Sequence, residues 1–200
     1  MLKFLLLIST LSISLFSITS NEDISSYLNF NFEQRTPSGE PEKWSPVVEY
    51  DEAAGRYKTP KEQGFSMTLD SSVVHSGKYS LKLEVFPGCA GGGAGIPYKV
   101  ASEILAKYLR GKKITYSGWI KTQNITDWVG LFCGDGKGAF NNMHDSTING
   151  TRGWHKYSIT LQIHPSSTKV VFGVLTASTN GGTAWFDDLS IDTNGVSFIR

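Results

Sequence analysis

Two adjacent carboxylates, Asp187 and Asp188, stand in the apolar run Trp185-Phe186-Asp187-Asp188-Leu189. A bare carboxylate is costly to bury, so such a pair calls for a cation, a set of hydrogen-bond donors or a wet edge. If the run is a strand, alternation puts Trp185, Asp187, Leu189 and Ile191 on one face and Phe186, Asp188 and Ser190 on the other. Asp187 then points the same way as core residues, and Glu33 is its natural companion if the first and last strands are adjacent. Two hard oxygen ligands, joined by backbone carbonyls from a turn such as Gly77-Lys78, suit a structural Ca²⁺. An ion pair with Lys or Arg, or hydrogen bonds to turn amides, would satisfy Asp187 equally well. Asp188 faces outward with no assigned task.

Other reactive residue types are scattered. His75, His144, His155 and His164 have no HxH or HExxH spacing, so a zinc hydrolase has no motif support. No Gly-x-Ser-x-Gly elbow occurs. The run Gly88 to Gly95 is followed by Ile96-Pro97, not by the Lys and Ser or Thr of a phosphate loop. It reads as a flexible rim tied down through Cys89. The only other cysteine is Cys133, and an even count in a secreted chain is compatible with one disulfide. The alternative is one buried and one exposed thiol.

Aromatic residues offer binding chemistry. Sugar rings present flat C–H faces that stack on Trp and Tyr, while amides and charged groups read the hydroxyls. Trp119, Lys121, Phe132, Asn141 and Asn142 form a candidate face of this kind. The plainer reading packs Trp119 under the long 34–66 connection. Trp154 and Trp185 read as core.

These residues sit on a chain of short strands. Asn29 to Glu33 alternates and reads as the first strand. Residues 34–66 form a Pro/Gly/Glu/Lys-rich connection holding Trp44 and Tyr50, with one short strand near Val47 to Tyr50. Further strands are expected over Ser66–Leu69, Tyr79–Phe86, Lys113–Thr122, Trp128–Cys133, Trp154–Ile163, Lys169–Leu175 and Thr183–Ile191. Ala101 to Leu109 is the one helical candidate. About eight strands with turns between them indicate an all-β fold, a two-sheet antiparallel β-sandwich or jelly roll.

The ends carry other signals. Lys3, the apolar stretch to Phe16 and the small residues after it read as a signal peptide over 1–20. Residues 21–27 read as a short leader, 28–193 as the domain and 194–200 as a tail. The chain has 19 basic and 18 acidic residues; removing Lys3 with the signal leaves 18 of each. A neutral chain gives no electrostatic reason to expect nucleic acid or an anionic membrane as partner. Nothing after the signal is long and apolar enough for membrane insertion. Asn124-Ile125-Thr126 and Asn149-Gly150-Thr151 are sequons in expected turns, giving glycosylation candidates at Asn124 and Asn149.

Several motifs occur in a telling order: Asn29-Phe30-Asn31-Phe32-Glu33, His75-Ser76-Gly77-Lys78, Ser117-Gly118-Trp119-Ile120-Lys121-Thr122, Phe140-Asn141-Asn142-Met143, Ile148-x-Gly150-Thr151-x-x-Trp154, Phe172-Gly173-Val174-Leu175 and Trp185-Phe186-Asp187-Asp188-Leu189. Together they resemble a non-catalytic jelly-roll domain found N-terminal to erythromycin-esterase-like enzymes and some secreted serine peptidases. That domain is similar to galactose-binding and carbohydrate-binding modules with a structural calcium. The resemblance implies that Glu33 and Asp187 supply side-chain ligands to calcium, with Lys78 in the turn that joins them. Relatives often carry Asp-Asn-Met where this chain has Asn141-Asn142-Met143, so a role for that acid does not carry over. The chain stops at Arg200, where such relatives continue into a catalytic domain; a stand-alone binding or accessory protein, or a fragment of a lost enzyme, is expected. The reading as a whole is a secreted, non-enzymatic module for carbohydrate. Its rivals are an extracellular structural or adhesion protein that binds protein partners, and a small secreted hydrolase.

Overall fold

A computed structural model describes residues 21–89, 91–96, 105–145 and 148–193. The expected signal peptide (1–20), the tail (194–200) and the start of the helical candidate lie outside the described residues; 105–109 are helical. Two further helices are short: α1 (Asn21–Tyr27) and α2 (Pro60–Gln63). The strands are β1 (Ser45–Pro46), β2 (Tyr50–Asp51), β3 (Arg56–Tyr57), β4 (Phe65–Asp70), β5 (Ser80–Pro87), β6 (Gly91–Gly95), β7 (Lys113–Gly134), β8 (Phe140–Asn141), β9 (Ile148–Gln162), β10 (Val171–Ala177) and β11 (Asn180–Asp192). No helix among the described residues is long and apolar enough to cross a membrane.

All the strand pairs are antiparallel, and the architecture is a jelly-roll sandwich. One strand builds both layers. β7 pairs with β11 up to Gln123 and with β10 from Trp128; β9 follows it as far as Val129, and its end pairs with β8. The first layer is therefore β4-β5-β11-β7-β9 and the second β1-β6-β10-β7-β8. The two strands expected over 113–122 and 128–133 are one continuous strand. The register with β9 shifts three times between Ile120 and Val129, which lets the strand bend from one layer to the other.

Between the layers lie Leu81, Leu83, Ile114, Tyr116, Ile120, Leu131, Phe172, Val174, Ala184 and Phe186, each at most 1% exposed. The N-terminal segment completes this core. The residues expected as a leader fold as α1, and Ile24 is fully buried. The expected strand Asn29–Glu33 is a turn: Asn29 and Phe32 take left-handed φ of 52° and 58°. Its two phenylalanines still go inward, because the turn drops them between the layers. Phe30 lies 5.9 Å from the Tyr116 ring and 6.1 Å from that of Trp44. Asn29 is itself buried; its Nδ2 donates to the carbonyls of Gln34 and Glu42, and its Oδ1 accepts from Gln34 N.

The glycine-rich run is not a loose rim. Gly91–Gly95 is strand β6, held by ladders to β10 on one side and β1 on the other. Glycine is needed where the backbone approaches its neighbours: a Cβ on Gly92 would overlap the Phe65 ring, and one on Gly91 the Thr176 carbonyl. The expected Cys89–Cys133 disulfide is absent; both cysteines are free thiols. Cys133 points into the core from β7, whereas Cys89 packs over Gly64 beside α2, so the two sulfurs belong to different parts of the sandwich. Burial and, secondarily, the Asp135 charge push the Cys133 thiol well above its ordinary range.

Candidate functional site

The outer face of the second layer carries an open apolar groove. Cross-strand register sets Gly95, Gly173 and Phe132 side by side, on the face opposite to the buried Ala94, Val174 and Leu131. A Cβ on Gly173 would overlap the Phe132 ring, and one on Gly95 would lie 3.4 Å from its Cζ. Phe132 thus lies flat across a glycine floor. One half of the groove is lined by Pro46, Val47, Val48, Tyr57, Phe132 and Val171. The other half shares Val47, Val48 and Phe132 and adds Glu49, Gln63, Phe140 and Leu175. The exposed rings are Tyr57 (65%) and Phe140 (62%), beside Val47 (51%).

The groove wall comes from the connection 45–64. Tyr50 and Tyr57 face each other on the β2–β3 hairpin with centroids 5.1 Å apart. Arg56 pairs with Glu62 at 2.6 Å and Lys58 with Glu49 at 3.1 Å. Thr59 caps α2 through a capping box with Glu62, and Gly64 ends it with φ 86°. Glu62 is held far below the usual carboxylate range, first by Arg56 and then by Thr59.

The five residues proposed for one ligand face are divided between the two layers. Phe132 is in the groove. Trp119 and Lys121 flank the inward Ile120 on the outer face of the first layer. There Trp119 stacks on His75 at 3.9 Å and 18°, on the layer away from the groove. Lys121 Nζ lies 5.7 Å from the Trp185 ring centroid. Trp154, expected in the core, is half-buried and meets His75 edge-on at 5.7 Å. Asn141 pairs with Cys133 across from the groove, and its Oδ1 accepts from Met143 N. Asn142 Oδ1 accepts from His144 N. Both asparagines close a local turn. Tyr57, Phe140, Glu49 and Gln63 escaped sequence reasoning, although the length and aromatics of the 34–66 segment signalled a functional connection.

The acids meet a different surface. β11 carries a bulge between Asp187 and Ser190, with Asp188 at φ 46°. The bulge breaks the expected alternation. Phe186 and Leu189 both point inward, and Asp187 lies on the outer side opposite Trp119, buried by the turn over 73–79. Asp187 Oδ2 accepts from the amides of His75 (2.9 Å) and Ser76 (3.1 Å), and Oδ1 from Asp188 N (2.8 Å). Glu33 Oε1 accepts from the amides of Lys78 (2.7 Å) and Tyr79 (3.1 Å) on the same turn. Asp188 is not idle: Oδ2 lies 2.6 Å from His75 Nδ1, and Oδ1 accepts from Ser76 Oγ. Burial pushes the Asp187 carboxyl up to about 6, against the pull of the Ser76 and His75 amides; the Asp188 charge raises it further. Carboxylate oxygens and turn carbonyls are donors of the kind Ca²⁺ takes. Among the described residues no third acid, His or Cys joins them in a metal-sized cluster.

Asn124 and Asn149 are exposed and neighbour each other, since Ile125 pairs with Gly150 and Thr151 Oγ1 donates to Asn124 Oδ1.

No protein-family model matches the chain. The uncharacterized HTH-type transcriptional regulator YbfP of Bacillus subtilis (strain 168) is 28% identical over 130 residues, 62% of this chain and 42% of that protein. The chain thus spans less than half the length of this curated relative. Among solved structures, the Stig cyclase FisC from Fischerella sp. TAU superposes with a TM-score of 0.53 at 11% identity, over 82% of this chain and 93% of its own. The C-terminal family 22 carbohydrate-binding module of a Clostridium thermocellum xylanase reaches 0.49 at 16% identity, over 86% and 97%. The module TmCBM61, solved with β-1,4-galactotriose, reaches 0.48 at 15%, over 83% and 96%. At 11% identity the FisC likeness is one of fold, and it agrees with the strand order in making this chain an antiparallel jelly-roll β-sandwich.

Proposed function

We propose that the protein is a secreted, non-catalytic module that binds carbohydrate in the groove on the outer face of its second layer. One observation carries this reading: Tyr57 and Phe140 hold largely exposed rings beside a glycine-floored channel in which Phe132 lies flat. Large exposed apolar groups gathered at one concave place mark a binding surface. Flat rings and a low floor suit the C–H faces of sugars better than they suit turnover, which needs positioned acids, bases or nucleophiles. The ordered motifs that resemble a carbohydrate-binding module support the same reading. So do the signal-like residues 1–20 for secretion.

A glycan array followed by calorimetry tests it, with Tyr57→Ala/Phe140→Ala as the site variant and Trp119→Ala as the off-site control. Binding by the wild type and by Trp119→Ala, lost in the double variant, is the expected result. No glycan bound, or equal binding by the double variant, removes the proposed site.

A structural Ca²⁺ held by Glu33 and Asp187 at the 73–79 turn is part of the same proposal. Its role is to fix that turn, on the layer away from the groove. A rise in Tm of EDTA-treated protein on adding calcium is expected, and an unchanged Tm removes the ion from the reading.

A further inference from the structure

The groove is apolar along most of its length; among the described residues that line it, Glu49 is the one charged side chain and Gln63 the one amide. Glu49 and Gln63 both line the half that contains Phe140. They are fixed to each other: Gln63 Oε1 accepts from Glu49 N at 2.7 Å. That bond decides the orientation of the amide, since the oxygen must face the Glu49 N–H and Nε2 is turned the other way as a donor. Glu49 is fixed at three points, through its own N–H, through its carbonyl, which accepts from Lys58 N, and through Oε2, which accepts from Lys58 Nζ at 3.1 Å. Gln63 is the last residue of the capped α2, and the neighbouring Glu62 is clamped by Arg56. The Gln63 amide, anchored through its oxygen, and the largely exposed Glu49 carboxylate, paired with Lys58, thus border the same half of the groove.

We infer that Gln63 and Glu49 are the specificity-determining residues of the groove, reading two adjacent hydroxyl groups of a saccharide that lies along it. This rests on the carbohydrate reading above. A vicinal diol offers a matching pair: one hydroxyl donates its proton to the carboxylate, and the neighbouring oxygen accepts from the amide Nε2. Hydrogen bonds are directional, so the pair distinguishes sugars that differ only in the orientation of one hydroxyl. The rings of Tyr57, Phe132 and Phe140 give affinity to any pyranose face and tell epimers apart poorly. The apolar rings hold the sugar and the polar pair chooses it.

The test uses the full secreted protein and neutral β-linked glucan, mannan, galactan and xylan oligosaccharides of equal length. Two near-isosteric variants are compared with wild type. Gln63→Glu keeps the acceptor that holds Glu49 N–H and loses the Nε2 donor. Glu49→Gln keeps the shape and loses the carboxylate. The wild type is expected to prefer one epimer. Each variant is expected to reduce that preference by about tenfold, while binding of the disfavoured sugars and the Tm stay close to wild type. An unchanged ranking in both variants overturns the inference and leaves the carbohydrate reading standing. Equal loss across all sugars also overturns it, since the pair would then only support the groove. No binding of any sugar by the wild type overturns the carbohydrate reading itself, and this inference with it.

Discussion

Phe132 lies across Gly173, its direct cross-strand neighbour, so closely that a single Cβ on the glycine would overlap the ring. The flat floor of the groove depends on that contact. Gly173→Ala is expected to lift the ring, to cost about 1–3 kcal/mol through overpacking and to weaken glycan binding. Chemical denaturation and calorimetry on the same protein check both effects. A variant with full stability and full binding would show that the ring has room to move.

Tyr57 and Phe140 are the most exposed of the groove rings, so their removal touches binding more than stability. Tyr57→Ala and Phe140→Ala are each expected to change stability by less than about 0.5 kcal/mol, as surface substitutions do. Affinity should fall about tenfold or more for each, by the loss of stacking area. Trp119→Ala should behave in the reverse manner, because it breaks the stack on His75 and leaves the groove intact. Thermal melts paired with titrations separate the two patterns.

The Asp187 carboxyl is raised from 3.8 to about 6, chiefly by burial. The folded state therefore holds this proton more tightly than the unfolded chain does. Its contribution is fully present below pH 4 and is lost as pH rises through about 6, a change of up to about 3 kcal/mol. In EDTA, Tm is expected to fall between pH 4 and pH 6 for this reason, and Asp187→Asn should flatten the slope. Asp70 acts in the opposite direction. Burial raises it, but hydrogen bonds from Ser72, Trp185 and Val73 outweigh burial and hold it at about 2. That contribution is present above pH 4 and is lost as pH falls toward 2. Melting curves at closely spaced pH values resolve both limbs.

Free thiols at Cys89 and Cys133 make the fold indifferent to reductant. Native protein is expected to react once with a thiol reagent, at the partly exposed Cys89. The fully buried Cys133, its thiol held protonated, should react only after unfolding. Mass spectrometry before and after denaturation counts the adducts. Two adducts on the native protein, or none after unfolding without reductant, would contradict the free-thiol arrangement.

Alternation over Lys113–Thr122 and Trp154–Ile163, and the apolar run to Leu175, were enough to determine the sandwich, because a strand's side chains have a period of two wherever one face is buried. The same rule misplaced Asp187. One extra residue at the Asp188 bulge resets the phase, and only pairing with β7 reveals it. Gly91–Gly95 has no side chains to alternate, so the sequence suggested a loop and the ladders to β1 and β10 made it a strand. Phe30 and Phe32 were legible as inward residues, but the left-handed turn that delivers them was not.

The acids show most clearly where sequence ends and tertiary structure begins. Types and order alone singled out Glu33, Asp187 and the His75–Lys78 turn. The folded chain decided that both carboxylates take the amides of that turn, and that Trp119 stacks on His75 of the same turn, on the layer away from the groove. Apart from Phe132, the groove was illegible in the sequence for a physical reason. Its residues come from segments as distant as Val47, Gly95, Phe132, Phe140 and Gly173, and each is ordinary in its local context. Only the packing of β1, β6, β10, β7 and β8 into one layer turns them into a surface.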